Sequence, residues 1–174
     1  MNLQEQLAAR IQGNVAIVGI GNPCRGDDAA GSLVARQIRE APGVRVIDAQ
    51  DVPEDYLCLL VNQQPDTVVL IDAVDLGSAP GSVALLDKDQ VAGYWPSTHR
   101  VPLCLLMNYL ERETNAHVFL LAIQPRQTVF LQPVSEEVNA SVTRLAAVLN
   151  RVLEMTRVPA CSVFTAQSKG KVPA

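Results

Sequence analysis

The stretch NVAIVGIGNPCRGDDAAG, residues 14–31, predicts the fold of the chain because two different periodicities meet in it. Its first seven residues form a short apolar run rich in β-branched side chains, which is typical of a strand buried on both faces. From Asp28 onward, apolar residues recur at spacings of three and four, which indicates a helix that ends at the Ala-Pro-Gly of residues 41–43. A buried strand that leads directly into a helix is the first unit of a parallel sheet.

The same alternation continues to the end of the last helical pattern. Further strands are predicted at residues 44–48, 67–73, 82–87 and 117–123, and further helices at 53–63, 102–113 and 136–155. The pattern predicts an α/β fold, a single domain with a mainly parallel, twisted five-stranded sheet and helices on both faces. We assign the domain to residues 1–155 and expect residues 156–174, which are rich in Ser, Gly and Pro, to form a flexible C-terminal tail.

Composition argues against a disordered chain and against nucleic acid or an anionic membrane as partner. With 48% apolar and 18% charged residues among 174, the chain is expected to be globular with a sizeable core. A net charge of −4 gives no reason to expect nucleic acid or an anionic membrane as partner. No leader pattern or long apolar run is present, and the four cysteines lie far apart without a Cys-x-x-Cys pair. We therefore expect a cytoplasmic protein, and a monomer because no heptad or long apolar patch indicates an obligate dimer.

A dinucleotide-binding loop is one interpretation of the glycines after the first strand. The Gly-x-Gly of residues 19–21 fits, and Asp48 ends the second strand where a ribose-binding acid would lie. Cys24, however, occupies the place of the third glycine. Asp27 and Asp28 would also face the pyrophosphate at the helix start, at a cost of about 1 kcal/mol per charge pair at a surface-like dielectric. A nucleotide site is therefore the least favoured interpretation.

A cation site is the second interpretation. In sheets of this kind ligands bind at the carboxyl ends of the strands, where Asp28, Asp72 and His99 are predicted to lie. Two carboxylates and an imidazole suit a divalent transition metal such as nickel or zinc. The alternative for the acid pair Asp27 and Asp28 is a helix N-cap followed by a first-turn acid. The other histidine, His117, begins a strand and is expected to be exposed.

Four motifs together resemble a known family. They are GIGNPCRGDDAAG (19–31), VLIDAVDLG (69–77), STHRVPL (97–103) and LLAIQP (120–125). In this order and spacing they are similar to the nickel–iron hydrogenase maturation endopeptidases, in the branch that acts on hydrogenase 3 of the formate-hydrogenlyase type. The resemblance runs from about Val15 to Leu153. It implies a twisted parallel-rich sheet between helices, and an endopeptidase that removes the C-terminal extension of a hydrogenase large-subunit precursor after nickel insertion.

The resemblance also implies the metal positions. They match Asp28, Asp72 and His99, and the nickel is expected to arrive in the precursor, with other divalent metals able to substitute. Ala29 stands where the family usually has glycine, so we expect helical geometry at that position. The expected partner is the large-subunit precursor. A non-catalytic nickel-binding chaperone or checkpoint protein for hydrogenase assembly, using the same three ligands, is the alternative function.

The chemistry of cleavage is less defined by the sequence. There is no Gly-x-Ser-x-Gly elbow and no second suitable histidine to pair with a cysteine nucleophile. A water attack assisted by a carboxylate is the simplest chemistry left, and Asp48, which the family also counts as functional, is the candidate base. Asp28 and Asp72 sharing a proton, as in aspartic proteases, is the alternative. By the same resemblance, Gly21 and Asn22 are expected to shape the groove for the substrate.

Overall fold

A computed structural model describes residues 1–91 and 102–156 of the chain. Within these ranges one five-stranded sheet has the order β2-β1-β3-β5-β4. All neighbouring strands run parallel except β4 and β5, which pair antiparallel. The strands are β1 Val15–Ile20, β2 Val44–Gln50, β3 Thr67–Ala73, β4 Val83–Leu86 and β5 His117–Ile123. The mainly parallel five-stranded sheet predicted from the sequence is confirmed.

The described residues also contain six α-helices. They are α1 Leu3–Arg10, α2 Ala30–Ala35, α3 Leu57–Gln63, α4 Lys88–Val91, α5 Leu103–Thr114 and α6 Glu136–Met155. Short 3-10 helices, Gly26–Ala29 and Pro53–Tyr56, lead into α2 and α3. The sequence pattern did not predict α1 or α4, and it placed the end of α2 several residues too late. Ala29 has helical geometry, with φ −67°, as expected.

Two apolar layers cover the two faces of the sheet. Side chains of α1, α2 and α6 pack on one face, around Ile17, Ile71 and Leu121. Side chains of α3 and α5 pack on the other face, around Val18 and Leu70. The strands β1, β3 and β5 are buried almost throughout because helices cover them from both sides. The prediction of helices on both faces is therefore confirmed. No helix in the described ranges has the length and apolarity needed to span a membrane.

Helix α2 approaches the sheet unusually closely at one residue. A Cβ atom at Gly31 would collide with the carbonyl oxygens of Ile20 and Ile71, at the ends of β1 and β3. A Cβ atom at Gly19 would in turn collide with the carbonyl oxygen of Gly31. These two glycines let the start of α2 lie directly on the carboxyl edge of the sheet. The preceding 3-10 helix, which carries both aspartates of the acid pair, is brought to that edge as a result.

The antiparallel strand β4 follows from the length of the chain that precedes it. A parallel return needs a crossover of a dozen or more residues. The chain has only residues 74–82 between β3 and β4. It therefore turns at the carboxyl end of β3 and runs back along the outer side of β5, with Val83 opposite Ile123.

Candidate functional site

The structure brings Asp28 and Asp72 to the same edge of the sheet. Asp28 lies in the 3-10 helix Gly26–Ala29, which contacts β3, and Asp72 is the second-last residue of that strand. Both side chains are buried. Asp28 Oδ2 accepts a hydrogen bond of 2.9 Å from the Asn22 N–H, and Asp72 Oδ1 accepts one of 2.8 Å from the Ala73 N–H. Two buried carboxylates at the carboxyl ends of parallel strands form the centre of the candidate site.

The third predicted ligand, His99, lies outside the described residues. In residues 1–91 and 102–156, no three His, Cys, Asp or Glu side chains form a group that could hold a metal ion. Asp28 and Asp72 are the two predicted oxygen ligands that the structure describes, and carboxylates are chemically suited to a divalent metal. The complete set of two carboxylates and an imidazole remains a prediction.

Asp48 faces away from Asp72. It lies opposite Gly19 in the sheet, and Gly19 lies opposite Ile71. Side chains at one register position share a face of the sheet, whereas the next residue along a strand points to the other face. Asp48 therefore lies on the α2 side, where its Oδ2 accepts a hydrogen bond of 2.7 Å from Arg36 Nε. Asp72 follows Ile71 and points to the α5 side.

The conformation of the loop after β1 is fixed by a glycine and by hydrogen bonds of the Asn22 side chain. Gly21 has φ +140°, and a Cβ atom there would collide with the carbonyl oxygen of Asp28, so the loop requires glycine. The side chain of Asn22 accepts a hydrogen bond of 2.9 Å from the Cys24 N–H and donates one of 3.2 Å to Asp51. Both predicted substrate-binding residues therefore shape the loop beside Asp28. Their contact with a substrate remains a prediction.

Asp27 has a structural role that the sequence did not indicate. Its side chain is fully buried, and its Oδ2 accepts hydrogen bonds from the Arg126 N–H at 2.7 Å, the Gln127 N–H at 3.1 Å and Ser135 Oγ at 2.9 Å. Its Oδ1 accepts a fourth, from the Ser135 N–H at 2.6 Å. The interpretation of Asp27 as a helix cap is wrong, because the donors belong to a distant segment. Asp27 joins the loop before α6 to the segment that carries Asp28.

Gln124 orders the other side of the site in a similar way. Its Oε1 accepts hydrogen bonds from the Leu76 N–H at 2.6 Å and the Ser78 N–H at 3.2 Å, and its Nε2 donates to Asp75 Oδ1 at 3.2 Å. The Gly77 N–H and the Gln124 amide lower the pKa of Asp75 below its usual value. The buried amide thus holds the segment that leaves β3. The sequence marked LLAIQP as a motif but gave Gln124 no role.

Comparison with known proteins assigns the chain to a family. The family model described as "HycI: Hydrogenase maturation protease" matches residues 30–152, which is more than half of the chain. The hydrogenase 3 maturation protease of Escherichia coli strain K12 is 32% identical over 126 residues, which cover 71% of this chain and 80% of that protein.

Solved structures show the same likeness. The [NiFe] hydrogenase maturation protease HycI from Thermococcus kodakarensis KOD1 superimposes with a TM-score of 0.78 at 30% identity, over 87% of this chain and 98% of that one. The endopeptidase HycI from Escherichia coli superimposes with a TM-score of 0.72 at 29% identity, over 79% and 90% of the two chains. The chain therefore belongs to the HycI family of hydrogenase maturation proteases.

Proposed function

We propose that this chain is an endopeptidase that removes the C-terminal extension of a NiFe-hydrogenase large-subunit precursor once nickel has been inserted. The observation that supports it most strongly is that Asp28 and Asp72, two buried carboxylates, lie on contacting segments at the carboxyl edge of the sheet. This arrangement occurs in a member of a family of maturation proteases. The cytoplasmic setting and the monomeric state expected from the sequence stay predictions.

The nickel ion of the precursor is the recognition element in this proposal. Asp28 and Asp72 would ligate it together with His99, so that only a loaded precursor presents its scissile bond correctly. Asp72 is well placed for this role because its strand pairs with neighbours on both sides, which fixes the carboxylate before the substrate arrives. A nickel ion held there would also polarise the scissile carbonyl.

The attacking group is proposed to be water. A carboxylate accepts its proton, and Asp48 is the base proposed from the sequence. Since Asp48 and Asp72 lie on opposite faces of the sheet, a substrate that contacts both must cross the carboxyl edge, and Asp48 must give up its ion pair with Arg36 to act as the base. Asp28 and Asp72 sharing a proton is the competing arrangement. An Arg36→Ala variant separates the two: it is expected to change the cleavage rate only if Asp48 is the base.

The function is tested by mixing the protein with a nickel-loaded precursor and following the mass of the precursor. Asp28→Asn and Asp72→Asn are each expected to reduce cleavage by about 100-fold or more, the usual loss when a preorganised charged group is removed. Asp66→Asn is the matched control, because Asp66 precedes β3 at the opposite edge and binds the Asn14 N–H. Its cleavage rate should equal that of the wild type.

Two outcomes contradict the proposal. Full cleavage by both the Asp28 and the Asp72 variants would exclude this pair as the centre of the reaction. A precursor that stays bound to the wild-type protein at full length would instead favour a nickel-binding chaperone. The folds of all variants are compared by circular dichroism, so that loss of activity is not confused with unfolding.

A further inference from the structure

The turn Val129-Phe130-Leu131, called here the apolar turn, exposes three consecutive large apolar side chains. Phe130 is 62% exposed and Leu131 74%, and Val129 is exposed as well. Elsewhere in the described residues, no two consecutive large apolar side chains are exposed: Leu59 stands alone on α3, and Leu105 and Tyr109 lie one turn apart on α5. Single exposed side chains are common on protein surfaces, whereas a contiguous apolar patch marks a surface that another molecule covers.

The apolar turn is held in its exposed arrangement. The Leu131 N–H donates a hydrogen bond of 2.7 Å to the Cys24 carbonyl, and the Val129 N–H donates one of 2.8 Å to Gln127 Oε1. Leu131 has φ +59°, a conformation that is uncommon for a branched side chain. The Gln127 amide also donates to the Pro133 carbonyl at 3.1 Å. These contacts keep the apolar side chains directed outward instead of letting the loop fold over them.

The same contacts connect the apolar turn to the candidate site. Cys24, which accepts the bond from Leu131, lies in the loop that leads to Asp28. Asp27, the residue before Asp28, binds the backbone N–H groups of Arg126 and Gln127 at the base of the turn. The turn and the segment 24–28 therefore form one hydrogen-bonded unit. We therefore expect a protein that presents a peptide bond at Asp28 to lie near the apolar turn.

We propose that the apolar turn docks on an apolar surface of the large-subunit precursor, next to the base of its C-terminal extension. This inference rests on the function proposed above and adds the surface that the protease uses to recognise the precursor's folded body. Phe130 is the central anchor, since a rigidly presented aromatic side chain that becomes fully desolvated contributes most to such contacts. A precursor bound in this way is positioned by the turn at one end and by Asp28 and Asp72 at the other.

The experiment compares Phe130→Asp with Leu105→Asp, using the nickel-loaded large-subunit precursor encoded in the same genome. Leu105 is similarly exposed, at 57%, but lies on α5. Affinity for the precursor is measured by titration, and KM and kcat from initial cleavage rates. Phe130→Asp is expected to weaken binding and to raise KM by about 30-fold, the loss typical of a central aromatic anchor. Its kcat, and both constants of Leu105→Asp, should stay within twofold of the wild type.

Three results overturn the docking proposal. They are wild-type affinity in Phe130→Asp, an equal loss of affinity in Leu105→Asp, and a change from dimer to monomer in Phe130→Asp with precursor binding intact. The last would show that a second copy of the chain covers the turn. Phe130→Leu should restore affinity. If Phe130→Asp fails to fold, Phe130→Ser replaces it, and its affinity for the precursor is compared with that of the wild type in the same way.

The two proposals can fail separately. If the wild-type protein binds the precursor without cutting it, the proteolytic function is wrong, and docking is judged from the affinities alone. If the wild type cuts the precursor and Phe130→Asp keeps its KM, docking is wrong and proteolysis stands. A wild type that neither binds nor cuts the precursor overturns both.

Discussion

Replacing Asp27 with alanine removes the acceptor of four hydrogen bonds in one step. The donors are the backbone N–H groups of Arg126, Gln127 and Ser135 and the Ser135 hydroxyl. A hydrogen bond to a charged group contributes about 1.5–3 kcal/mol, and a buried donor left without a partner costs a similar amount. Because the loop can relax and admit water, the full sum is not reached. We expect the free energy of unfolding to fall by about 3–5 kcal/mol.

Two milder substitutions in the same group of hydrogen bonds should lower the free energy of unfolding by smaller amounts. In Asp27→Asn the amide oxygen can occupy the position of Oδ2 and keep three bonds, but the amide nitrogen then faces the Ser135 N–H. The free energy of unfolding of this variant should fall by about 1–2 kcal/mol. Ser135→Ala removes the hydroxyl alone, and its free energy of unfolding should fall by about 1 kcal/mol. Asp27→Ala removes all four bonds, whereas the other two variants remove one each; Asp27→Asn ranks between them because it also leaves the buried Ser135 N–H facing another donor.

Urea unfolding followed by circular dichroism measures these differences, and an unchanged m-value shows that the variants unfold like the wild type. Hydrogen exchange then locates the effect, since the amides of Arg126, Gln127 and Ser135 should lose protection in Asp27→Ala before the strands do. A loss below 1 kcal/mol in Asp27→Ala, or unchanged protection at these three amides, would refute the role given to this carboxylate.

Two further predictions concern the sheet and its contacts. The Arg10 guanidinium beside Asp87 lowers the pKa of that carboxyl below its usual value. Asp87→Asn should therefore reduce the free energy of unfolding by about 0.5–1 kcal/mol at pH 7, as measured by urea titration. The difference from the wild type should disappear as the pH falls from about 5 to below that lowered pKa, and a constant difference would contradict the ion pair. Gly31→Ala should destabilise the chain by about 1–3 kcal/mol because its Cβ would collide with the Ile71 carbonyl oxygen. Helix propensity alone predicts stabilisation of about 1 kcal/mol, so the sign of the change in a thermal melt decides between them.

The strands and the long helices were predictable because burial leaves a periodic trace in the sequence. The apolar runs of β1, β3 and β5 reflect strands covered on both faces, and the stripe of α6 reflects one buried side. Helix α1 left little trace. It buries only Leu7 completely, and its two leucines, Leu3 and Leu7, are too few to form a clear apolar stripe.

Only the part of the site that depends on the order of the strands was predictable from the sequence. Asp28 and Asp72 were expected together because both follow parallel strands, and the structure places their segments in contact. Strand order does not indicate which face of the sheet a side chain occupies, so the sequence groups Asp48 with Asp72 although the register separates them. The roles of Asp27 and Gln124 are not visible in the sequence because most of their partners are backbone groups, which any residue type supplies. Their roles depend on tertiary contacts that no local pattern encodes.

The bonds of Asp27 have a consequence for the order in which the protein matures on the ribosome. The carboxylate is made early, whereas its partner Ser135 follows 108 residues later in the chain. At a synthesis rate of about 5–20 residues per second, several seconds pass before the two can meet. During that interval β1 and β2 can pair, but the segment carrying Asp28 lacks its support. A nascent chain released before residue 135 would hold the acid pair without the bonds that support it, so the site can assemble only after Ser135 has been made.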